Sequence, residues 1–487
     1  MTQRLLNTLT NEKEELVPAS DRKVGMYVCG PTVYDLSHAG HARCYVVWDT
    51  VARWLRASGW DLTVVRNYTD VDDKIIRRAN ELGEAPHELS ERFIREFQAD
   101  MRAINVGPAD VEPKVTEHMP EIIALVAKLV EKGFAYESEG DVYFAVRHFE
   151  PYGKLSKRNL DDLLAGARVE PGEQKRDPLD FALWKAAKPG EPWWDSPWGK
   201  GRPGWHIECS AMSAKYLGPS FEIHGGGKDL VFPHHENEIA QSEAASGVTF
   251  ARYWVHNGFL TINAEKMGKS LGNFFTIRDL LKHVDGEAIR YAILLTHYRS
   301  PLDFSLEAIS AAQTRVAYVY ETLAKVDAKL ASMPQAAEEG PVLEPERIAS
   351  TWDAFRVAME DDFNTAAALG GIADVFGWMN ELADKPPVKD KALVARTLHR
   401  LREEVRRVAK VLGVFEQKPD AWLLNLRTRL AAQKGIEPSW VESRITERAD
   451  ARRAKDYAAA DAVRAELLAK GVEIMDGPAG TTWRILT

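Results

Sequence analysis

The chain has 487 residues, of which 45% are hydrophobic and 28% charged, and its formal net charge is −9. At roughly 150 residues per domain this length predicts about three domains, and the composition excludes global disorder and a fibrous fold. The acidic excess argues against a general, non-specific nucleic-acid coat, which is usually strongly basic, although local basic patches could still meet a selective partner.

Cysteine usage and hydropathy point to a reducing compartment. The three cysteines, Cys29, Cys44 and Cys209, are too few and too scattered to predict a disulfide framework. No apolar run reaches the ~18 residues that a membrane-spanning helix requires, and the N-terminal residues lack the apolar core of a signal peptide. We therefore expect a cytoplasmic protein without a membrane partner, in which a thiol serves as a ligand or a nucleophile.

The first part of the chain predicts strands alternating with helices. Residues 23–29 indicate a strand, 42–58 a helix with apolar residues at three- and four-residue steps, and 62–68 a second strand. This order predicts an α/β fold of the doubly wound, Rossmann-like type. A helical region follows at 73–101, and further strands are predicted at 221–224 and 253–259.

The remaining residues predict an insertion and two further units. Residues 117–200 are interpreted as an insertion into the α/β domain, which would then comprise 1–116 and 201–255. The insertion holds a helix at 121–132 and a hairpin-like stretch, and its end runs into a Pro- and Trp-rich loop at 188–205. Helical periodicity over 306–415 predicts an α-helical bundle, and 436–487 predicts a small α/β domain with a helix pair and a strand near Trp483.

Two histidines flank a glycine at the first strand-to-helix junction, in His38-Ala39-Gly40-His41. Helix N-termini present unpaired N–H groups and the positive end of the helix dipole, so they suit phosphate. Gly40 leaves room for a flat ligand to lie on the backbone. The alternative is a helix that is capped by Ser37 and carries two surface histidines.

A second basic motif, Lys266-Met267-Gly268-Lys269-Ser270, places two lysines three residues apart on a glycine-containing loop. Ammonium groups act as point charges toward polyphosphate. Alone, this pentapeptide would more often be an exposed basic loop. The two motifs together, in this order, are far more specific.

A third group of residues has the chemistry of a metal site. Cys29 directly precedes the first motif and Cys209 lies in the stretch 204–210, while His234 and Glu238 are four residues apart and would share one face of a helix. Two thiolates, an imidazole and a carboxylate form a suitable Zn²⁺ set. The alternative is two buried free thiols beside a polar helix face.

The first two motifs resemble the HIGH and KMSKS signatures of the class I aminoacyl-tRNA synthetases. Ala39 stands in place of an Ile, and Gly268 stands in place of a Ser, which removes a hydroxyl but leaves both lysines. The chain as a whole is similar to the cysteinyl-tRNA synthetase family. The segments that carry this similarity are 27–35, 69–75, 204–212, 224–230 and 232–236.

The resemblance implies ATP-dependent activation of L-cysteine, with Mg²⁺ accompanying ATP, and transfer of the cysteinyl group to the 3′ end of tRNA(Cys). It also implies one zinc ion per chain, held by Cys29, Cys209, His234 and Glu238, with the substrate thiolate bound to the metal. An apolar pocket separates near-isosteres such as cysteine and serine by only ~1–3 kcal/mol, whereas a soft metal strongly prefers thiolate. We therefore expect no editing domain.

The same resemblance assigns the remaining site residues. His38 and His41 would serve the α- and β-phosphates, and Lys266 and Lys269 the transition-state phosphates. The further ATP-binding residues would be Gly40, Gly226 and Asp229. The cysteine pocket would be lined by Gly30, Thr69, Trp205 and His224. The residues implied to contact anticodon bases are Arg452, Asp461 and Asp476.

The resemblance also gives the domains a role in RNA binding. Residues 256–305 would carry the KMSKS loop and stem contacts, 306–415 would bind the anticodon stem, and 436–487 would recognise the anticodon. A basic face of the bundle comprises Arg396, Arg400, Arg402, Arg406, Arg407 and Lys410. A monomer is expected.

Two other functions fit part of the sequence. The cysteine ligase of mycothiol synthesis shares the catalytic half and the zinc set, but it lacks the anticodon-recognising domain that the resemblance implies after residue 436. A non-catalytic, zinc-containing RNA-binding protein would not need His38, His41, Lys266 and Lys269.

Overall fold

The computed structural model describes residues 2–159, 174–262, 265–266, 275–333, 340–477 and 480–486. The chain divides by its internal contacts into two units. The first comprises Met1–Ser305, Ser350–Ile372 and Lys410–Val414, and the second comprises Leu306–Ala349, Ala373–Ala409 and Phe415–Thr487. The bounds of the five domains inferred from the sequence remain predictions.

The first unit begins with the alternation of strands and helices that the sequence predicts. Its elements are β1 (Arg4–Asn7), β2 (Glu12–Glu15), β3 (Lys23–Val28), α1 (Ala39–Ala57), β4 (Asp61–Arg66), α2 (Asp73–Leu82) and α3 (Pro86–Ala103). The predicted helical region at 73–101 is thus two helices. Gly83 ends α2 in the left-handed conformation (φ 68°), and Pro86 occupies the first turn of α3, where its missing N–H does no harm.

The next part of the first unit is a small sheet. Its elements are α4 (Met119–Glu131), β5 (Ala135–Ser138), β6 (Asp141–Phe144), β7 (Phe181–Ala186) and β8 (Gly201–Pro203), with the four strands antiparallel in the order β5-β6-β7-β8. The prediction that 188–205 is entirely loop is wrong at β8. Pro203 is tolerated there because β8 is an edge strand. Gly201 allows close packing, since a Cβ at this position would lie 2.2 Å from Nε1 of Trp184.

The following elements complete the main sheet and the first unit as far as residue 305. They are α5 (Trp205–Leu217), β9 (Phe221–Gly227), α6 (Glu236–Ser246), β10 (Ala251–Asn257), β11 (Leu260–Ile262), β12 (Glu265–Lys266), α7 (Ile277–Leu281), α8 (Gly286–Leu294) and β13 (Leu302–Asp303). Strands β10-β9-β3-β4 form one parallel sheet in that order. Met26 in β3 lies opposite Ile223 in β9 and Val64 in β4, and all three are buried. The predicted Rossmann-like α/β fold is confirmed.

The rest of the chain is mostly helical. Its elements are α9 (Leu306–Ala331), α10 (Pro345–Glu360), α11 (Thr365–Gly371), α12 (Ala373–Asp384), α13 (Lys391–Leu412), α14 (Pro419–Gln433), α15 (Pro438–Arg453), α16 (Tyr457–Ala469), β14 (Val472–Gly477) and β15 (Gly480–Ile485). The predicted terminal helix pair is α15 and α16, and the predicted strand is paired with β14 in an antiparallel hairpin. Among the helices of the described ranges, none has the length and apolarity needed to cross a bilayer.

Candidate metal and nucleotide site

The carboxyl ends of the four parallel strands meet at one edge of the main sheet. Cys29 directly follows β3 and Asn67 directly follows β4, while His224 lies in the middle of β9 and His256 is the last residue but one of β10. Parallel sheets bind ligands at this edge, because the loops that follow the strands form a crevice there. The sheet therefore gathers residues that are far apart in sequence.

Cys29, Cys209, His234 and Glu238 form a buried cluster at this edge. One ligand atom from each lies within 4.8 Å of the others. The Cys29 and Cys209 sulfurs are 3.9 Å apart, and Glu238 Oε1 lies 3.0 Å from His234 Nε2. Two Zn–S bonds of about 2.3 Å at a tetrahedral angle place sulfurs about 3.8 Å apart, whereas a disulfide would require about 2.05 Å. The spacing fits one tetrahedral metal ion.

A second set of donors overlaps the first. It consists of Cys29, His224, His235 and Glu238, and it is also fully buried. Because both sets use Cys29 and Glu238, the two sets cannot each hold an ion at the same time. The first set offers two soft sulfur donors and therefore suits zinc better. His235 is not among the predicted ligands, because four-residue spacing selects His234 as the partner of Glu238, and the tandem histidine pair is the signal in the sequence that points to it.

Histidines surround the cluster beyond the four predicted ligands. His224 Nε2 lies 2.8 Å from Glu238 Oε2, and His206 Nδ1 lies 2.9 Å from His234 Nδ1. His235 Nδ1 lies 2.8 Å from His256 Nε2. Such partners orient the ligating side chains. His206 and His256 are not among the predicted site residues, since neither has ligand spacing to the others.

The electrostatics of the cluster favour charged donors. Burial alone would raise the pKa of Glu238, but His224 and His234 lower that pKa to about 2. Burial alone would lower the pKa of His234, but Glu238 and Cys209 raise it to about 10. The hydrogen bond from Cys29 lowers the pKa of Cys209 to about 6, although burial opposes this. A carboxylate and a thiolate are therefore available to a cation at neutral pH, whereas His234 must release its proton before its ring nitrogen can bind a metal.

Three of the residues assigned to the cysteine pocket border the cluster. Trp205, which is 37% exposed, stacks on His234 with ring centroids 4.3 Å apart. His224 contacts Glu238 through its Nε2 atom. Gly30 follows Cys29, and a Cβ there would lie 1.5 Å from the carbonyl oxygen of Asn67, so no side chain fits.

Thr69, the fourth residue assigned to the cysteine pocket, is buried beside Glu208. Its hydroxyl donates to Glu208 Oε2 at 2.8 Å, and Glu208 directly precedes Cys209 in α5. Burial, with Cys209 adding to it, raises the pKa of Glu208 well above its usual value. Thr69 therefore holds the helix turn that carries a predicted metal ligand.

His38 and His41 together cap α1. His38 Nδ1 accepts from the backbone N–H groups of Gly40 at 3.0 Å and His41 at 3.3 Å, and His41 Nδ1 accepts from the backbone N–H of His38 at 3.3 Å. The alternative in which Ser37 caps the helix is therefore wrong. Since both Nδ1 atoms accept, each neutral ring carries its proton on Nε2 and can donate it to a ligand. Burial and the neighbouring His38 lower the pKa of His41, which favours its neutral form.

Of the second signature motif, the structure describes the backbone of Lys266 and the chain from Phe275 onward. Lys266 ends β12, and Lys269, with Met267, Gly268 and Ser270, lies outside the described residues. Beyond them, the backbone N–H of Ala39 donates to the carbonyl of Phe275 at 3.0 Å, and that of Ile277 donates to the carbonyl of Ser37 at 2.9 Å. The chain that follows the second motif therefore lies against the first motif.

Gly226 and Asp229, which are also assigned to ATP, differ in their surroundings. Gly226 is buried at the end of β9, and a Cβ there would lie 2.8 Å from Cε1 of His235. The neighbouring Gly225 is equally constrained, since its Cβ would lie 2.6 Å from the Trp48 ring. Asp229 is exposed in the short 3₁₀ turn Lys228–Leu230. Close packing thus accounts for two glycines of the run, and Asp229 is open to a ligand.

In the second unit the structure brings Arg452 and Asp476 together. Asp476 accepts two hydrogen bonds of 2.8 Å from Arg448, one of 2.8 Å from Thr481 and one of 3.1 Å from Arg452. Asp461 is exposed on α16. Arg448 was not predicted, and the only signal for it was its position one helical turn before Arg452.

The predicted basic face of α13 is partly used within the protein. Arg402 makes two hydrogen bonds to Asp327, of 3.0 and 2.9 Å, and Arg400 donates to Glu403 at 3.1 Å. Arg396 donates to the carbonyl of Pro341 at 2.8 Å. The exposed members of the face are Arg400, Arg406, Arg407 and Lys410.

The fold is that of solved class I aminoacyl-tRNA synthetases. The structure of "Mycobacterium tuberculosis methionyl-tRNA synthetase in complex with methionyl-adenylate" matches with a TM-score of 0.60 at 16% sequence identity, over 86% of this chain and 94% of that chain. At such low identity, the similarity establishes the fold alone.

Sequence comparison defines the family more closely. Three family models match: "tRNA synthetases class I (C) catalytic domain" at residues 15–314, "DALR domain" at 354–416 and "Cysteinyl-tRNA ligase anticodon binding domain" at 440–484. The proteins named cysteine–tRNA ligase of Anaeromyxobacter dehalogenans (strain 2CP-1 / ATCC BAA-258) and Geobacter metallireducens are 56% and 53% identical, over 100% of this chain and of each relative. The chain belongs to the cysteine–tRNA ligase family. The predicted family is confirmed, and the two alternative functions are not favoured.

Proposed function

We propose that this chain activates L-cysteine with ATP and transfers the cysteinyl group to the 3′ end of tRNA(Cys). The observation that carries the proposal is the buried cluster of Cys29, Cys209 and Glu238. Cys29 begins the loop that runs from β3 to α1, the helix that His38 and His41 cap. The donor set suits the thiolate of cysteine, and a helix N-terminus with two histidine donors suits the phosphates of ATP. The membership of the family supports the same activity.

One zinc ion per chain would be held by Cys29, Cys209, His234 and Glu238. When bound, zinc supplies a soft Lewis acid that takes a thiolate far better than an alcohol, and so separates cysteine from serine. The protein positions the donors. Glu238 is held by His224, and the aromatic face of Trp205 covers His234. Gly30, Thr69, Trp205 and His224 would border the bound amino acid.

ATP would bind with Mg²⁺ at the start of α1. The Nε2–H groups of His38 and His41 would donate to phosphate oxygens beside Gly40, and the helix N-terminus adds its positive dipole end. Gly226 and Asp229 would lie near adenosine. Lys266 and Lys269 would neutralise charge on the phosphates as the cysteine carboxylate attacks the α-phosphate and pyrophosphate leaves. The gain comes from positioning and charge stabilisation.

The second unit would bind tRNA. Exposed bases of a single-stranded anticodon loop are read by hydrogen bonding and stacking. Arg452, Asp461 and Asp476 would make these contacts, and the exposed arginines of α13 would face the phosphates of the stem. We further propose that the protein acts as a monomer in the cytoplasm.

Cysteine-dependent ATP–pyrophosphate exchange, followed by charging of tRNA(Cys), tests the proposal. Exchange should depend on cysteine, fail with serine and fall after zinc is removed by a chelator, and it should return when zinc is restored. Absence of exchange in the zinc-loaded protein would overturn the proposal. Exchange without charging of tRNA(Cys) would overturn the transfer step alone.

A further inference from the structure

The carbonyl oxygen of Tyr298 accepts hydrogen bonds from residues that adjoin each of the two signature motifs. It accepts from the Arg43 guanidinium at 3.1 Å and from the backbone N–H of Gly258 at 2.8 Å. Arg43 lies in α1, just beyond His41, and Gly258 directly precedes the segment that enters β11, the strand paired with β12 and Lys266. One peptide group thus contacts both the helix of the first motif and the short link that leads into β11.

The contacts around this carbonyl leave little room for movement. Arg43 is 1% exposed, and it also donates to the carbonyls of Ile293 at 2.8 Å, His297 at 2.9 Å and Ser300 at 3.3 Å. A Cβ on Gly258 would lie 2.4 Å from the Ser300 carbonyl oxygen, so the two backbones are in direct contact. A shift of the segment 297–300 would therefore move the supports of both motifs.

The side chain of Tyr298 fixes that segment from the other side. Its hydroxyl donates to Asp362 Oδ1 at 2.6 Å, and the two residues are 3% and 0% exposed. Asp362 also accepts from the backbone N–H of Leu6 at 2.9 Å and from Arg299 Nε at 2.6 Å. The carboxylate is thus fully engaged by β1 and by the segment 297–300.

The backbone at Asp362 and Phe363 is held in the left-handed conformation, which is unfavourable for Phe363. Asp362 and the following Phe363 both have left-handed φ values, of 65° and 52°, which a side chain as large as phenylalanine rarely adopts. Such conformations persist where the surroundings impose them, and they concentrate at functional positions. The backbone N–H of Asp362 donates to the Arg4 carbonyl at 3.0 Å, and Thr365 Oγ1 donates to the Leu294 carbonyl at 2.8 Å.

We propose that Tyr298 and Asp362 are positioning residues that hold the two signature motifs in mutual register for adenylate formation. The proposal rests on the proposed function. The Tyr298 hydroxyl fixes the Tyr298 peptide through Asp362, and that peptide fixes Arg43 on α1 and Gly258 before β11. The histidines of one motif and the lysines of the other must meet the same phosphates, and a misplacement of about 1 Å can lower a rate about 100-fold.

The test replaces Tyr298 with phenylalanine, which keeps the ring and removes the hydroxyl. In Tyr298→Phe, kcat of cysteine-dependent pyrophosphate exchange should fall about tenfold or more. The KM for cysteine and the zinc content should stay unchanged, because the metal donors lie just after β3, in α5, in the turn Val231–His235 and in α6. Asp362→Asn, which keeps the shape of the side chain, should lower kcat in the same way and serves as an independent second variant.

Tyr320→Phe is the matched control. Tyr320 is fully buried in the second unit, where its hydroxyl accepts from the backbone N–H of Gln417 at 3.2 Å. The Tyr320→Phe variant should be less stable than the wild type but should keep its kcat. The kcat values are compared at a temperature at which all variants are folded. Equal kcat in folded Tyr298→Phe and the wild type would overturn the proposal, as would equal losses in Tyr298→Phe and Tyr320→Phe. Absence of exchange in the wild type would instead overturn the proposed function.

Discussion

His224 Nε2 lies 2.8 Å from Glu238 Oε2, and neither side chain is exposed to solvent. The other ring nitrogen of His224, Nδ1, is buried and has no hydrogen-bond partner among the described residues. The ring is held instead by the face of Trp254, at 4.4 Å between centroids. His224 therefore orients the carboxylate that the metal would use.

Replacing His224 with alanine should weaken zinc binding about 10- to 100-fold, because partners of ligating side chains contribute at that level. The affinity can be measured by competition with a chelating dye. His118→Ala is a suitable control, since His118 is also buried and lies 2.9 Å from the Tyr216 hydroxyl, but it belongs to neither donor set. Unchanged zinc affinity in His224→Ala would contradict this role.

Cys209→Ser should lose zinc and raise the KM for cysteine, because a serine hydroxyl is a far poorer ligand than a thiolate. Metal content by mass spectrometry of the native protein checks the first effect. Cys44→Ser provides the control, because Cys44 is outside both donor sets and burial raises its pKa to about 12, so its thiol stays protonated. Retention of a full zinc complement in Cys209→Ser would remove Cys209 from the site.

The two functions of His38 can be separated by two substitutions. Asparagine is a good N-cap, so His38→Asn should keep the stability of α1 while removing the Nε2–H donor and lowering kcat of exchange. His38→Ala should lower kcat and also destabilise the protein by about 1 kcal/mol. Chemical denaturation and exchange kinetics measure the two effects. Wild-type kcat in His38→Asn would show that the imidazole donor is not needed.

The Asp476 carboxylate should stabilise the terminal hairpin in a pH-dependent way. Its hydrogen bonds with Arg448 and Thr481 lower its pKa below the usual value, so the folded state binds this proton less tightly than the unfolded state. The stabilisation is therefore complete above the unfolded pKa of about 3.9 and is lost as the pH falls through the folded pKa. Since Asp476 is 41% exposed, we expect at most about 1 kcal/mol.

Asp476→Asn provides the measurement for this effect. At pH 7 the amides of β14 and β15 should exchange faster with deuterium in the variant than in the wild type. The difference should shrink below about pH 4, where the carboxylate of the unfolded chain takes up its proton. A difference that grew on acidification would contradict this sign. Asp461→Asn is the control, since Asp461 is exposed on the neighbouring helix α16.

The sequence predicted the fold well where periodicity and residue type agree. The strands around Cys29 and the helix α1 were found within a few residues, because their apolar positions follow the periods of a strand and a helix. Strand β8 was missed because its Pro203 and its tryptophan-rich surroundings resemble a loop. The break at Gly83 was missed because a single glycine does not show whether it adopts a left-handed conformation.

The sequence predicted the site less completely. Cys29, Cys209, His234 and Glu238 were selected by chemistry and by resemblance to a family, and the structure brings their ligand atoms together. His235 and His256 were not selected, because their proximity depends on how the turn Val231–His235 meets β10. Tyr298 and Asp362 carry no local motif at all, since their hydrogen bond spans 64 positions of sequence.

The hydrogen bonds around Asp476 have a consequence for partners of the terminal hairpin. Arg448 and Thr481 already fix the rotamer of this carboxylate in the free protein. A side chain ordered in advance loses little conformational entropy when a further donor approaches. A ligand that reaches Asp476 therefore meets a preorganised acceptor. The effect of this rigidity would be measured in the dissociation rate of the ligand.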